Sequence, residues 1–263
     1  MQDDLDRGDG VRLAYALTPG RTPTVVFLPG FRSDMAGDKA THLARFCAAR
    51  DQAMLRLDYS GHGASGGRFE EGSIGRWAED ALALIDRVTE GRLVLVGSSM
   101  GGWIALLAAL ARPARIAALV GIAAAPDFTE LLMWQAMAPF ERETLLRDGV
   151  LHVASEYGDP YPITLRLIED GRAHLLLDAP IALDCPVRLL HGQCDPDVPW
   201  ETALRLAERI EGDDVRFTLV KDGDHRLSRP ADLTLLGQVL APLLAGGGLS
   251  PARQPPTRAR RGR

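Results

Sequence analysis

Short apolar runs alternate with longer stretches of helical periodicity along most of this chain. The runs at 24–28, 53–58, 93–97, 118–122, 187–191 and 215–220 read as strands. They are continuous in apolar character rather than alternating, which is the pattern of strands covered on both faces. Between them, 38–50, 74–89, 100–111, 201–210 and 231–244 carry the spacing of helices. Residues 11–17, ahead of the first buried run, are expected to form an antiparallel edge. Strands alternating with helices predict an α/β fold with a mostly parallel sheet and helices on both of its faces.

One interval breaks the rhythm. Residues 126–185 contain no run of the buried type, over about sixty positions where a single crossover helix would suffice. Their apolar residues, Leu131, Leu132, Met133, Trp134, Met137, Phe140, Leu145 and Leu146, predict two or more helices. The segment reads either as a helical cap over the sheet or as an elaborated crossover. The cluster from Leu131 to Phe140 suits an acyl pocket and a helix core equally. The expected organisation is therefore a core of 1–125 and 186–245, a cap of 126–185, and a disordered Gly/Pro/Arg tail of 246–263.

Charge changes this picture mainly by exclusion. The net charge is -5, and the tail holds five arginines with no acid, which leaves 25 basic against 35 acidic groups for the rest. A body so acidic is not expected to bind nucleic acid. Cys47, Cys185 and Cys194 are too few and too irregularly spaced for a disulfide framework or a zinc site, which favours a reducing compartment. No apolar stretch reaches the roughly 18–20 residues of a membrane span, and the acidic opening MQDDLDRGDG is not expected to act as an export or transit signal. The chain is expected to be cytoplasmic. Arginine outnumbers lysine heavily, Lys39 and Lys221 being the only lysines, which points to a GC-rich bacterial genome.

The segment LVLVGSSMGGW carries the candidate chemistry. Gly97-Ser98-Ser99-Met100-Gly101 fits G-x-S-x-G between a buried strand and a helix, the context in which a sharp turn lifts one hydroxyl clear of a sheet. Side chains at Gly97 or Gly101 would collide with the neighbouring strand and helix. A serine hydroxyl is a weak nucleophile and needs a base within hydrogen-bond reach. The plainer reading makes Ser99 a helix cap in a Gly/Ser turn. It is weakened by the strand before the motif and by suitable partners after it. Ser98 has the wrong spacing from the glycines.

Behind such a turn the partners follow in the order acid, then histidine. Of the six histidines, His42, His62, His152 and His174 lie upstream of the late strands, and His191 precedes the candidate acid. Only His225 follows both, in a turn after the strand at 215–220. Its imidazole would serve as general base near neutral pH. The acid must orient that ring and stabilise its protonated form. Asp195 and Asp197 compete for this role. Asp195 stands closer to the strand end, whereas Asp197 suits solvent or the cap of the helix near Trp200. An oxyanion hole needs two backbone donors, expected from Met100 and from Phe31 in the loop after the first buried strand.

Gly61-His62-Gly63-Ala64-Ser65-Gly66 also fits G-x-G-x-x-G. It opens no helix directly, and the acids about 20 residues on, Glu79 and Asp80, fall inside a helical pattern rather than at a strand end. A glycine turn is the better reading.

Together, Leu28-Pro29-Gly30-Phe31, the run from Arg56 to Gly63, Gly97 to Trp103, and His191 to Trp200 with Asp224-His225-Arg226 resemble the α/β hydrolases. Within them the resemblance is to the mitochondrial acyl-protein (palmitoyl) thioesterases that also cleave acyl glucuronides, from about Leu13 to Leu244. It implies a serine esterase or thioesterase without metal or cofactor, acting on a small-molecule or acyl-protein substrate. It also raises Asp195 above Asp197. The expected reaction is hydrolysis of a carboxylic ester or thioester with a hydrophobic acyl group, through an acyl-enzyme. The rivals are a peptidase or C–C bond hydrolase with the same residues, and a non-catalytic binding protein of the same fold.

Overall fold

The computed structural model describes residues 2–155 and 158–245. The expected disordered tail at 246–263 lies outside them. The chain opens with β1 (Asp3–Asp6), β2 (Arg12–Thr18), β3 (Arg21–Leu28), α1 (Asp38–Ala48) and β4 (Gln52–Leu57). It continues with α2 (Ile74–Val88), β5 (Leu93–Ser98), α3 (Met100–Ala111) and β6 (Ile116–Ile122). The long interval holds a π-helical turn (Thr129–Trp134), α4 (Pro139–Asp148), β7 (Val150–Ser155), β8 (Gly158–Thr164) and α5 (Leu165–Arg172). The chain then returns through β9 (Val187–Gly192), α6 (Glu201–Arg209), β10 (Val215–Val220) and α7 (Pro230–Ala245).

Eight strands form one sheet in the order β1-β2-β4-β3-β5-β6-β9-β10. The pairs from β4 through β10 are parallel, while β2 runs antiparallel to β4 and β1 antiparallel to β2. The continuous apolar runs find their reason in the two cores. Val26, Leu28, Leu93 and Leu95 point into one core with Trp77 and Leu84 of α2, Trp103 of α3 and Leu206 of α6. The intervening Val25, Phe27, Val94 and Val96 point into the other, with Leu43 of α1 and Leu236 and Leu240 of α7. Alternate residues of β3 and β5 thus feed opposite cores, which leaves these central strands continuous in apolar character.

Two local features depart from expectation. The antiparallel strand at the start is not the edge: β1, with sequence DDLD, pairs outside it. Three aspartates on four positions are compatible with an edge, where charge discourages further pairing. The interval 126–185 is not purely helical either, because β7 and β8 pair antiparallel into a separate two-stranded sheet. No described residue of this interval contributes a strand to the large sheet.

The glycines of the turn after β5 meet the close contacts expected of them. A Cβ on Gly97 would strike the backbone of Gly101 and Gly102, and one on Gly101 would strike the Leu28 carbonyl oxygen and lie 2.5 Å from that of Pro29. Backbone cannot retreat as a flexible side chain can. Gly101→Ala is therefore expected to destabilise the protein by about 1–3 kcal/mol. Urea unfolding followed by circular dichroism measures it, and an unchanged midpoint would contradict this account of the turn.

Candidate active site

The C-terminal ends of β3, β5, β9 and β10 converge on one place, where ligands are bound in open α/β sheets. Ser99 sits between β5 and α3 with φ 54° and ψ -120°, a strained conformation for a residue with a side chain. Its backbone is clamped there. Its N–H donates to the Ile122 carbonyl at 2.9 Å, while its own carbonyl accepts from Gly102 at 2.8 Å and Ala125 at 3.1 Å. The neighbouring Ser98 is the last residue of β5 and is buried.

From this turn the Ser99 Oγ lies 3.0 Å from Nε2 of His225, and Nδ1 of the same ring lies 2.8 Å from Oδ2 of Asp195. These residues are 126 and 30 positions apart in the chain, so only the sheet brings them together. Two turns pressed against each other set the second distance. Cys194 N–H donates to the Gly223 carbonyl at 2.9 Å, and a Cβ on Gly192 would come within 2.5 Å of the Asp224 carbonyl oxygen. Glycine at 192 lets the acid-bearing turn and the histidine-bearing turn touch. Behind His225, Lys39 of α1 donates to the Arg226 carbonyl; burial, with Arg226 nearby, lowers its ammonium to about 8.

The Asp195 side chain is inaccessible to solvent. Burial alone would push its carboxyl up, but hydrogen bonds from His191 and His225, the charge of His225 and the Val198 N–H together hold it well below the usual carboxylate range. Its Oδ1 accepts from the N–H groups of Asp197 and Val198 at 2.8 and 2.9 Å. Asp197 supplies only its backbone to this arrangement; its side chain is exposed, and the cap position of α6 is occupied by Trp200 without a side-chain bond. The acid at 195 thus stays ionised and fixed, able to hold an imidazole in one orientation.

Phe31 follows β3 at the opposite wall. A Cβ on Gly30 would sit 3.3 Å from the Ser99 Cβ, so the loop that carries Phe31 lies directly against the Ser99 turn. Met100 is the first residue of α3, whose opening N–H groups have no intrahelical acceptor. The Phe31 ring is the hub of an aromatic cluster, with centroids at 5.1 Å from Phe69, 5.9 Å from Trp77, 5.8 Å from Phe128 and 6.0 Å from Tyr161. Tyr161 comes from β8, so the small hairpin reaches this wall. The Arg32 guanidinium also lies 4.6 Å from the centre of the Tyr161 ring.

The remaining histidines are placed as follows. His62, within the glycine-rich turn, is buried; its Nδ1–H donates to the Ser60 carbonyl at 3.2 Å and its Nε2 accepts from the Arg32 N–H at 3.2 Å. It braces the Phe31 loop. The turn itself closes through Gly61 N–H to the Gly66 carbonyl at 2.8 Å and is followed only by a three-residue 3-10 turn at Phe69–Glu71 before α2, so it opens no α-helix on whose N-terminus a dinucleotide could rest. His42 lies in α1, His152 in β7 and His174 just after α5. His191, at the end of β9, precedes the candidate acid in the chain, yet its Nε2 lies 3.1 Å from the Asp195 Oδ2.

With this geometry in view, likeness to known proteins becomes informative. A family model described as serine aminopeptidase S33 matches residues 21–150. The human mitochondrial palmitoyl-protein thioesterase ABHD10 is 40% identical over 234 residues, covering 88% of this chain and 76% of the relative. The chain belongs to the α/β-hydrolase family. Two solved members of similar sequence share its fold through most of their length. A putative hydrolase from Agrobacterium vitis S4 is 40% identical with a TM-score of 0.89, covering 93% of this chain and 98% of the other. The α/β-hydrolase domain-containing protein 10 from mouse is 39% identical with a TM-score of 0.86 over the same shares. This α/β hydrolase is an enzyme of the esterase and thioesterase kind. None of its described helices is long and apolar enough to cross a membrane.

Proposed function

We propose that Ser99 is the nucleophile of this hydrolase, His225 its general base and Asp195 the residue that orients the imidazole. The hydrogen-bonded line from Asp195 through His225 to the Ser99 Oγ carries this reading. The hydroxyl proton passes to Nε2 as the oxygen bonds to the substrate's carbonyl carbon. The N–H groups of Phe31 and Met100 stabilise the oxyanion, each worth about 3–4 kcal/mol in the transition state. Collapse expels the alcohol or thiol, which takes the proton from His225. Water, deprotonated by the same ring, then releases the acid from Ser99.

We assign a long hydrophobic acyl chain to the substrate, carried as a thioester on a protein or on a small molecule. The name of the human relative and the aromatic wall around Phe31 support it. Residues 126–185 act in this reading as a cap, supported by the reach of Tyr161 to Phe31. We place the enzyme in the cytoplasm, in keeping with its three unpaired thiols.

A fluorophosphonate probe with peptide mapping, and kcat/KM across a chain-length series of acyl thioesters beside aminopeptidase substrates, test the proposal. The expected adduct is on Ser99, with kcat/KM rising toward palmitoyl and peptide amides turning over poorly. An adduct elsewhere, faster peptide cleavage, or no turnover of any activated ester would overturn it.

A further inference from the structure

His191 is fully buried at the end of β9, yet it is not a bland core residue. Its Nε2 lies 2.9 Å from the Val198 carbonyl oxygen and 3.1 Å from the Asp195 Oδ2. Its Nδ1 is buried and meets no hydrogen-bond partner among the described residues. A buried N–H without an acceptor is expensive, whereas a lone pair left there costs less, so the proton belongs on Nε2. That single N–H then faces two acceptors, one of them the carboxylate oxygen that also receives Nδ1 of His225.

The bonds close a ring. Val198 donates its N–H to the Asp195 Oδ1 at 2.9 Å, and its carbonyl accepts from His191. One imidazole therefore holds both the carboxylate and the strand of loop that holds the carboxylate's other oxygen. We infer that His191 is a positioning residue, a neutral second histidine on Asp195 that fixes the carboxylate plane and takes up part of the charge Oδ2 would otherwise offer His225. The inference rests on the proposed role of Asp195. With part of that charge engaged, Oδ2 has less to offer the positive charge that forms on the His225 ring when it takes the Ser99 proton.

Other charged groups stand about His225. Asp197 comes from the acid-bearing loop, its carboxylate within 4.8 Å of the Asp195 and His225 ligand atoms. Asp224 and Arg226 flank the ring in its own turn, and Lys39 of α1 bonds the Arg226 carbonyl. None of these groups is itself removed when His191 alone is changed.

His191→Leu removes the donor and His191→Gln keeps an amide N–H near the position of Nε2. The expected result for His191→Leu is a fall in kcat of about 10- to 100-fold, the scale of a small misplacement of catalytic groups. KM stays near wild type, and the acid limb of kcat/KM against pH moves upward by about 0.5 unit or more. His191→Gln should restore both rate and profile. Unchanged kcat and acid limb in His191→Leu, or equal losses in the two variants, would overturn the inference. Nitrogen-15 spectra of the wild-type histidines keep the question open to test even if His191→Leu fails to fold: a neutral Nε2–H tautomer across the active pH range is expected, and an Nδ1–H or a titrating ring at 191 refutes it. Loss of activity in Ser99→Ala alongside a silent His191→Leu would sink this inference alone, whereas an active Ser99→Ala would sink the reading of the whole site.

Discussion

Ser99→Ala is expected to lower kcat by about 10⁶-fold, the scale seen when a nucleophile acting in concert with its base is removed. The Ser99 Oγ has one side-chain partner, Nε2 of His225, and the substitution deletes the atom that forms the acyl bond in the proposed mechanism. Nothing nearby substitutes for it. Ser98 is buried as the last residue of β5, on the wrong side of the turn. Residual hydrolysis above that of water would come from the Phe31 and Met100 N–H groups, which the change leaves intact. Stability should move by less than about 0.5 kcal/mol, because alanine keeps the strained φ and loses only one half-exposed hydroxyl. Single-turnover kinetics on an activated thioester, paired with thermal melts, measure both. Retention of more than a trace of wild-type activity would remove Ser99 from the chemistry.

Asp195→Asn should cost about 10⁴-fold in kcat while KM changes little, and the reason lies in the orientation the amide must take. The site at Oδ1 receives two backbone N–H groups, from Asp197 and Val198, so the asparagine carbonyl oxygen belongs there. Its NH₂ then faces the place of Oδ2, opposite His225 Nδ1 and His191 Nε2. His225 must answer by accepting at Nδ1 and carrying its proton on Nε2, facing Ser99 with a donor where an acceptor is needed. The same NH₂ also confronts the N–H of His191, so a modest loss of stability should accompany the loss of rate. The pH profile is the decisive measurement. Activity should recover partly at high pH, where hydroxide replaces the general base, and a wild-type profile would be incompatible with the proposed role of Asp195.

The sheet was readable because burial on both faces leaves a strand no freedom to be polar. The strands β3, β4, β5, β6 and β9 and the five helices that cover the sheet therefore stood out as runs. The edge strand β10, with no fully buried residue, was legible through Val215, Phe217 and Val220, which still pack against the two cores. The strand β1 did not, since DDLD has the composition of a loop and owes its state to pairing with β2. The hairpin was hidden for another reason. Pro160 and Pro162 in β8 argue against a strand, and they are tolerated because this sheet has only two strands and each is an edge. At the site, chain order and turn context single out Ser99 and His225, and the structure brings both to Asp195. His191 was invisible to that logic. Order along the chain says which groups may follow one another, whereas a bond between the end of β9 and the turn just beyond it depends on how that turn folds back. Gly192, needed for the close approach of the two turns, was the available hint.

Asp127 stands at the mouth of the long interval, buried, with φ 61°. Its Oδ1 and Oδ2 each accept a backbone N–H, from Leu176 and Leu177, at 2.8 Å. One carboxylate thus staples the outgoing chain to the returning one. Because β6 and β9 are already neighbours in the sheet, everything between the staple's two ends forms a closed appendage whose length the strand registers do not sense. If the interval is a cap, exchanging the stretch between them is expected to alter acyl preference while leaving the registers of β6 and β9 unchanged, provided that Phe128 and Leu167, which pack into the main core, are kept.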